Sequence, residues 1–200
     1  MAVSTAVDEQ RVLMDAGLAV LRRSGTAGCT VADVLAEAGL STRAFYRHFA
    51  SKDALILAIY KRDSLASCAK LRERMSAATS ARAALEIWID ETLALGFASS
   101  RARRTRPLAK EGLRLQAEFP REFAQIVAGV LDPLVALLRV VPTDDPERDA
   151  RSMHAITWAL VEDKLAGEAL TREEARSHAL RFCLPVIGEQ PERRERRAES

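Results

Sequence analysis

Residues 30–49 read TVADVLAEAGLSTRAFYRHF, and this stretch decides the architecture. Its spacing predicts two short helices joined by a tight turn. Thr30 stands before an apolar-periodic run, where its hydroxyl can accept a hydrogen bond from a free backbone N–H at the helix start. Asp33, three residues on, takes a weak capping-box position and suits the positive end of the helix dipole. Val31, Val34, Leu35 and Ala38 recur at helical spacing and define a buried face. Gly39 follows, the residue that a left-handed helix end prefers. Ser41 is the next N-cap, so about three residues separate the helices, the separation of a helix-turn-helix.

The second helix spans Thr42 to Phe49. Phe45 and Phe49 share one side and should pack into a core. Arg43 and Arg47 point nearly the opposite way, flanked by Thr42 and Tyr46 on one side and His48 on the other. No acidic residue occurs from Leu40 to Lys52. A helix with an aromatic anchor and an outward Arg/Tyr/His face suits a DNA groove. Arginine forms bidentate bonds to guanine, while hydroxyls and lysine hold phosphates. The same geometry also occurs in proteins that never touch DNA, where such a face is simply solvated.

Thr30, Val34, the AGLS turn at Ala38 to Ser41, Tyr46, His48-Phe49, Lys52 and Leu55 together resemble the N-terminal signature of the tetracycline-repressor (TetR/AcrR) family, bacterial one-component transcription regulators. The resemblance runs approximately from Val7 to Ser67. It is specific because the turn, the Tyr-x-His-Phe and the lysine three residues later occur together. It implies an all-α homodimer with a three-helix DNA-binding domain and a larger helical domain for ligand binding and dimerisation, about nine helices in all. By matching position, Thr42, Arg43, Tyr46 and Arg47 would face bases or phosphates of a palindromic operator in double-stranded DNA. Thr30, Ser41, His48 and Lys52 would mainly hold the DNA backbone. Position 43 is often small in the family. Arg43 therefore bears on which operator is read rather than on the binding mode.

The chain has 200 residues, long enough for one or two compact domains. An aromatic fraction of 5% within a hydrophobic fraction of 48% favours helices over sheets. The net charge is only +2, which argues against nonspecific DNA binding, because that depends on phosphate neutralisation. The basic character is local instead. The N-terminus lacks a signal segment, and no apolar run approaches the roughly 20 residues that span a bilayer. A soluble, cytoplasmic protein is expected. Cys29, Cys68 and Cys183 are far apart and odd in number, against a disulfide framework or a zinc site. No metal or cofactor is expected. Nor is an enzyme, since the sequence lacks a nucleophile elbow, a phosphate loop and a HExxH pair.

Met1 to Val7 reads as a leader. The first helix should run from Asp8 to Ser24, with Val12, Ala16, Ala19 and Val20 inward and Gly25 at its end. Ser51 caps a long fourth helix reaching about Met75, and a fifth runs from Ala81 to Ala98. Ser99 to Thr105 reads as a loop or helix start. It opens a basic run of Arg101, Arg103, Arg104, Arg106 and Lys110, either solvated or an anion site. Pro107 suits the first turn of a sixth helix ending at Phe119. Pro120 opens a seventh, which Pro133 should kink or split. After the PTDDP loop at 142–146, an eighth helix runs from Glu147 to Gly167. Thr171 caps a ninth, which Pro185 ends or bends. The domains expected are 7–67 for DNA binding, 68–188 for regulation and dimerisation, and a disordered tail at 189–200.

The eighth and ninth helices are apolar on two sides, which suggests a core face and a dimer face. The resemblance implies the same pairing. His154 and His178 read as partly buried interface residues. Trp88, Thr92, Phe123 and Trp158 are the candidate lining of a pocket for a small, mostly apolar effector. Glu91 and Glu111 are further polar candidates. The expected function is a repressor released from its operator by that ligand. Activation, or less readily nonspecific DNA binding, is the alternative.

Overall fold

The computed structural model describes residues 2–188, apart from the side chains of 2–6, 27, 104 and 107–113. The predicted tail at 189–200 lies outside the described residues. Within them the chain is all helical. The order is α1 (Ala2–Gly28), α2 (Val31–Ala38), α3 (Thr42–His48), α4 (Lys52–Ser76), α5 (Ala81–Phe97), α6 (Ser99–Glu118), α7 (Pro120–Leu138), α8 (Pro146–Ala166) and α9 (Arg172–Cys183), closed by a 3-10 turn at Leu184–Ile187.

Local chemistry sets most of these boundaries. Thr30 caps α2 in a reciprocal box with Asp33, and Gly39 ends it at φ 65. Ser41, Ser51 and Ser80 each accept from a backbone N–H three residues on, which starts α3, α4 and α5. Thr171 and Glu174 form a second capping box at α9. Pro185 is the second residue of the 3-10 turn, so α9 stops just before the pyrrolidine removes a donor.

Four expectations change. Helix already begins at Ala2, so Met1 to Val7 is not a separate leader from there on. Gly25 does not end α1 outright; helical residues resume beyond it, and Gly25 itself is non-helical (φ 68, ψ −178). One helix runs from Ser99 to Glu118, so Pro107 lies within α6 rather than at its start. Pro133 sits inside α7 without splitting it. A proline there withholds only the bond to the carbonyl four residues earlier, and flanking turns can hold the helix.

The chain forms two compact units. The first comprises residues up to 69 together with 99–130, and the second comprises 70–98 with residues from 131 onward. By packing, α6 and the start of α7 therefore join the N-terminal helices. In the first unit, Leu13, Val20, Val34, Phe45, Phe49, Leu55, Ile56, Ile59 and Leu115 form the core, with Phe119 and Phe123 packed against it. The buried face of α1 is Leu13, Met14, Ala16, Val20 and Leu21, turned slightly from the expected stripe; Val12 and Ala19 are only half-buried. Arg114 of α6 makes two hydrogen bonds to Asp53 at 2.7 and 2.9 Å. These hold the Asp53 carboxyl below the usual range. The second unit is built on α5, α8 and α9, with Leu85, Trp88, Ile89, Leu93, Val161, Ala179 and Cys183 inside. Gly96 lets α5 approach Val161 closely; a Cβ there would lie 3.1 Å from the Val161 carbonyl oxygen.

Candidate nucleic-acid interface

The site is built on α3. Ala44 and Phe45 are buried, and Phe49 follows them as the C-cap. Phe45 stacks edge-on to Tyr46 at 5.3 Å and lies 5.8 Å from Phe49. This anchor fixes the rotation of a seven-residue helix that has little cohesion of its own. The opposite face is then solvent-facing. Thr42, Arg43, Tyr46 and Arg47 are exposed there, Tyr46 by 58%. Arg43, Tyr46 and Arg47 line an open depression of about 690 Å³. Arg43 is exposed and makes no hydrogen bond or ion pair among the described residues.

The other four predicted contacts are placed differently. Thr30 and Ser41 are exposed, but their hydroxyls serve as helix caps. The Thr30 hydroxyl and then its backbone N–H donate to Asp33, which keeps that carboxyl below its ordinary range. His48 turns inward, with Nε2 2.9 Å from Glu9 Oε2. Lys52 donates from Nζ to the Thr26 carbonyl at 3.2 Å. Glu9 carried no signal at the sequence level, because its partner is 39 residues away.

The proposed effector residues are divided between the two units. Trp88 and Thr92 are buried on α5, and the Thr92 hydroxyl donates to the Trp88 carbonyl at 2.9 Å. Trp158 on α8 donates to Glu162 at 2.8 Å. His154 stands between the tryptophans, its ring 6.2 Å from Trp88 and 6.0 Å from Trp158. Phe123 instead packs against the core of the first unit. Glu91 pairs with Arg74, while the side chain of Glu111 lies outside the described residues. Among the described residues, Trp88 Nε1 and His154 Nδ1 are buried without a hydrogen-bond partner. Burial holds the His154 imidazole below its usual pKa.

Arg101, Arg103 and Arg106 of the basic run are exposed on α6 rather than on a loop; Arg104 and Lys110 fall among the side chains not described. All three cysteines are buried, and burial pushes Cys29 up and Cys183 up to about 11. A thiol so placed stays protonated and a poor nucleophile. Among the described residues no cluster of His, Cys, Asp and Glu could hold a metal, and no helix is long and apolar enough to cross a membrane.

Residues 13–59 match the family described as bacterial regulatory proteins, tetR family. No curated protein matches the chain. Solved structures share the fold. A transcriptional regulator from Rhodococcus sp. Rha1 is 24% identical, with a TM-score of 0.64 over 89% of this chain and 95% of that one. FadR from Bacillus subtilis, in complex with stearoyl-CoA, is 14% identical, with a TM-score of 0.68 over 88% and 97%. The multidrug binding protein EbrR, complexed with imidazole, is 20% identical, with a TM-score of 0.65 over 89% and 94%.

Proposed function

We propose that this chain, with its tetR-family segment at residues 13–59, is a sequence-specific DNA-binding transcription regulator that reads a palindromic operator with α3. The observation that carries this is the outward grouping of Arg43, Tyr46 and Arg47 opposite the buried Phe45 and Phe49. Arg43 supplies the bidentate base contact. Thr42, Tyr46 and Arg47 complete the face, and the start of α3 at Ser41 offers backbone N–H groups to a phosphate. Lys52 contributes charge near the DNA backbone from its position beside the Thr26 carbonyl.

Dimerisation through α8 and α9 fits their exposed apolar residues. Ala155 and Ala159 lie one turn apart on α8, and Phe182 on α9 is 48% exposed. Two reading helices then meet half-sites about 34 Å apart. A small, mostly apolar effector is the expected release signal, acting by favouring a separation of the reading helices that misses successive grooves. Trp88, Thr92, Trp158 and His154 are its candidate partners. Their support is the pair of buried nitrogens, Trp88 Nε1 and His154 Nδ1, without partners among the described residues, since an unpaired buried polar atom costs about 1–3 kcal/mol and a ligand could satisfy it. The stearoyl-CoA and imidazole in the similar structures put acyl-CoA thioesters and small heterocycles first in a screen.

The test is selection of bound sequences from a random DNA pool, with the mass of the complex measured alongside. An enriched palindrome bound by two copies supports the regulator and provides the operator for effector screening. No enriched motif, with binding lost at modest salt, would overturn it in favour of phosphate-driven, nonspecific association.

A further inference from the structure

The reading helix is tied to α1 by one carboxylate. Glu9 Oε2 lies 2.9 Å from His48 Nε2 and 3.4 Å from Arg47 Nη1. The Glu9 side chain is 21% exposed and that of His48 10%, so the contact is sheltered from solvent on its histidine side. Glu9 precedes the matched segment 13–59 and is not one of the residues expected to touch DNA. Its two partners are consecutive residues in the last turn of α3, beside the exposed Tyr46. Arg43, one turn earlier, has no such tether among the described residues.

Phosphate contacts raise affinity for every sequence alike, whereas base contacts discriminate. A cation held by a fixed carboxylate is less free to turn to whichever phosphate is near. We infer that Glu9 is a positioning residue that sets sequence selectivity. It braces Arg47 and His48 from α1 and withholds them from sequence-independent phosphate contacts, so that Arg43 and Tyr46 decide which duplex is held. On the operator, base contacts fix the docked pose and the brace costs little. On random DNA, the exposed Arg47 would otherwise be a ready phosphate donor.

The inference rests on α3 being the DNA-reading element, so the two must be separated by experiment. The full-length chain is first tested for a selected operator. Failure to select one removes the DNA reading, and this inference with it, before any variant is made. With an operator in hand, the wild type and Glu9→Gln are titrated against it and against a random duplex of equal length over a salt series, and melting curves are recorded. Glu9→Gln is expected to bind the random duplex roughly two- to fivefold more tightly. Its log affinity against log salt should steepen by about one. The operator gains less, so selectivity falls. Adding Arg47→Gln to Glu9→Gln should abolish most of the gain. Unchanged random-duplex affinity and salt slope would overturn the inference, as would a gain that survives Arg47→Gln. If Glu9→Gln does not fold, Glu9→Asp, which keeps the charge but shortens the reach, must shift selectivity in the same direction; a folded Glu9→Asp with wild-type selectivity and salt slope overturns it equally.

Discussion

Under the proposed function, Arg43 and Lys52 divide the work of recognition differently. Arg43 is exposed and untethered among the described residues, so Arg43→Ala should cost about 1–3 kcal/mol on the operator and relax the base preference at one position. Titration against single-base operator variants reads this directly. Lys52 donates to the Thr26 carbonyl beyond the Gly25 break in α1. Lys52→Ala should weaken binding to all sequences alike and also lower stability by about 0.5–1.5 kcal/mol, the worth of one internal hydrogen bond. A Lys52 variant that instead changed base preference would reverse the assignment. His154 makes a prediction in pH. Its folded pKa is lowered by burial between Trp88 and Trp158, so the unfolded chain takes the proton first, near pH 6.5. The stabilising contribution of the neutral ring is therefore complete above about pH 6.5 and is lost as pH falls toward the folded value. Melting curves between pH 7 and 5 should drop for the wild type more than for His154→Gln; equal slopes would mean that His154 is not the titrating group.

At the scale of elements, the turn between α2 and α3 depends on backbone conformation more than on contact. Gly39 has φ 65, and a Cβ there would meet nothing within 4 Å. Gly39→Ala should thus destabilise by about 1–2 kcal/mol through left-handed strain alone, with no steric clash to relieve. Thermal melting of the full chain measures it, and an unchanged midpoint would show that the turn relaxes. The helix starts are equally local. At these starts the capping hydroxyl and the backbone N–H it accepts from are three positions apart, which is why Thr30, Ser41, Ser51 and Thr171 announce their helices.

At the scale of the molecule, the first unit is discontinuous in sequence. Leu115 is buried in its core, and Phe119 and Phe123 pack against it, although all three lie beyond residue 98. Losing even one buried leucine side chain costs about 2–5 kcal/mol. A fragment ending at residue 69 should therefore keep helical content yet lose a cooperative melt, while the full chain melts cooperatively; circular dichroism distinguishes the two. Both tryptophans of the chain, Trp88 and Trp158, belong to one aromatic group in the second unit. Intrinsic fluorescence consequently reports on that group alone. An effector bound there should shift the emission in step with release of DNA, and release with unchanged emission would place the effector elsewhere.

What the sequence by itself determined is the part governed by short-range chemistry. The all-α class, the two helices at 30–49, their caps, the glycine turn, and the opposition of Phe45 and Phe49 to Arg43 and Arg47 all follow from residues within about one or two helical turns of each other. What only the tertiary structure decided joins residues far apart in the chain. It turned His48 onto Glu9 across 39 positions and paired Arg114 with Asp53 across 61. It also put 99–130 with the N-terminal helices and packed Phe123 against their core. A helical period states which residues share a face. It does not state which helix that face meets, because the partner is selected by how whole helices pack and by which charges that packing brings within reach.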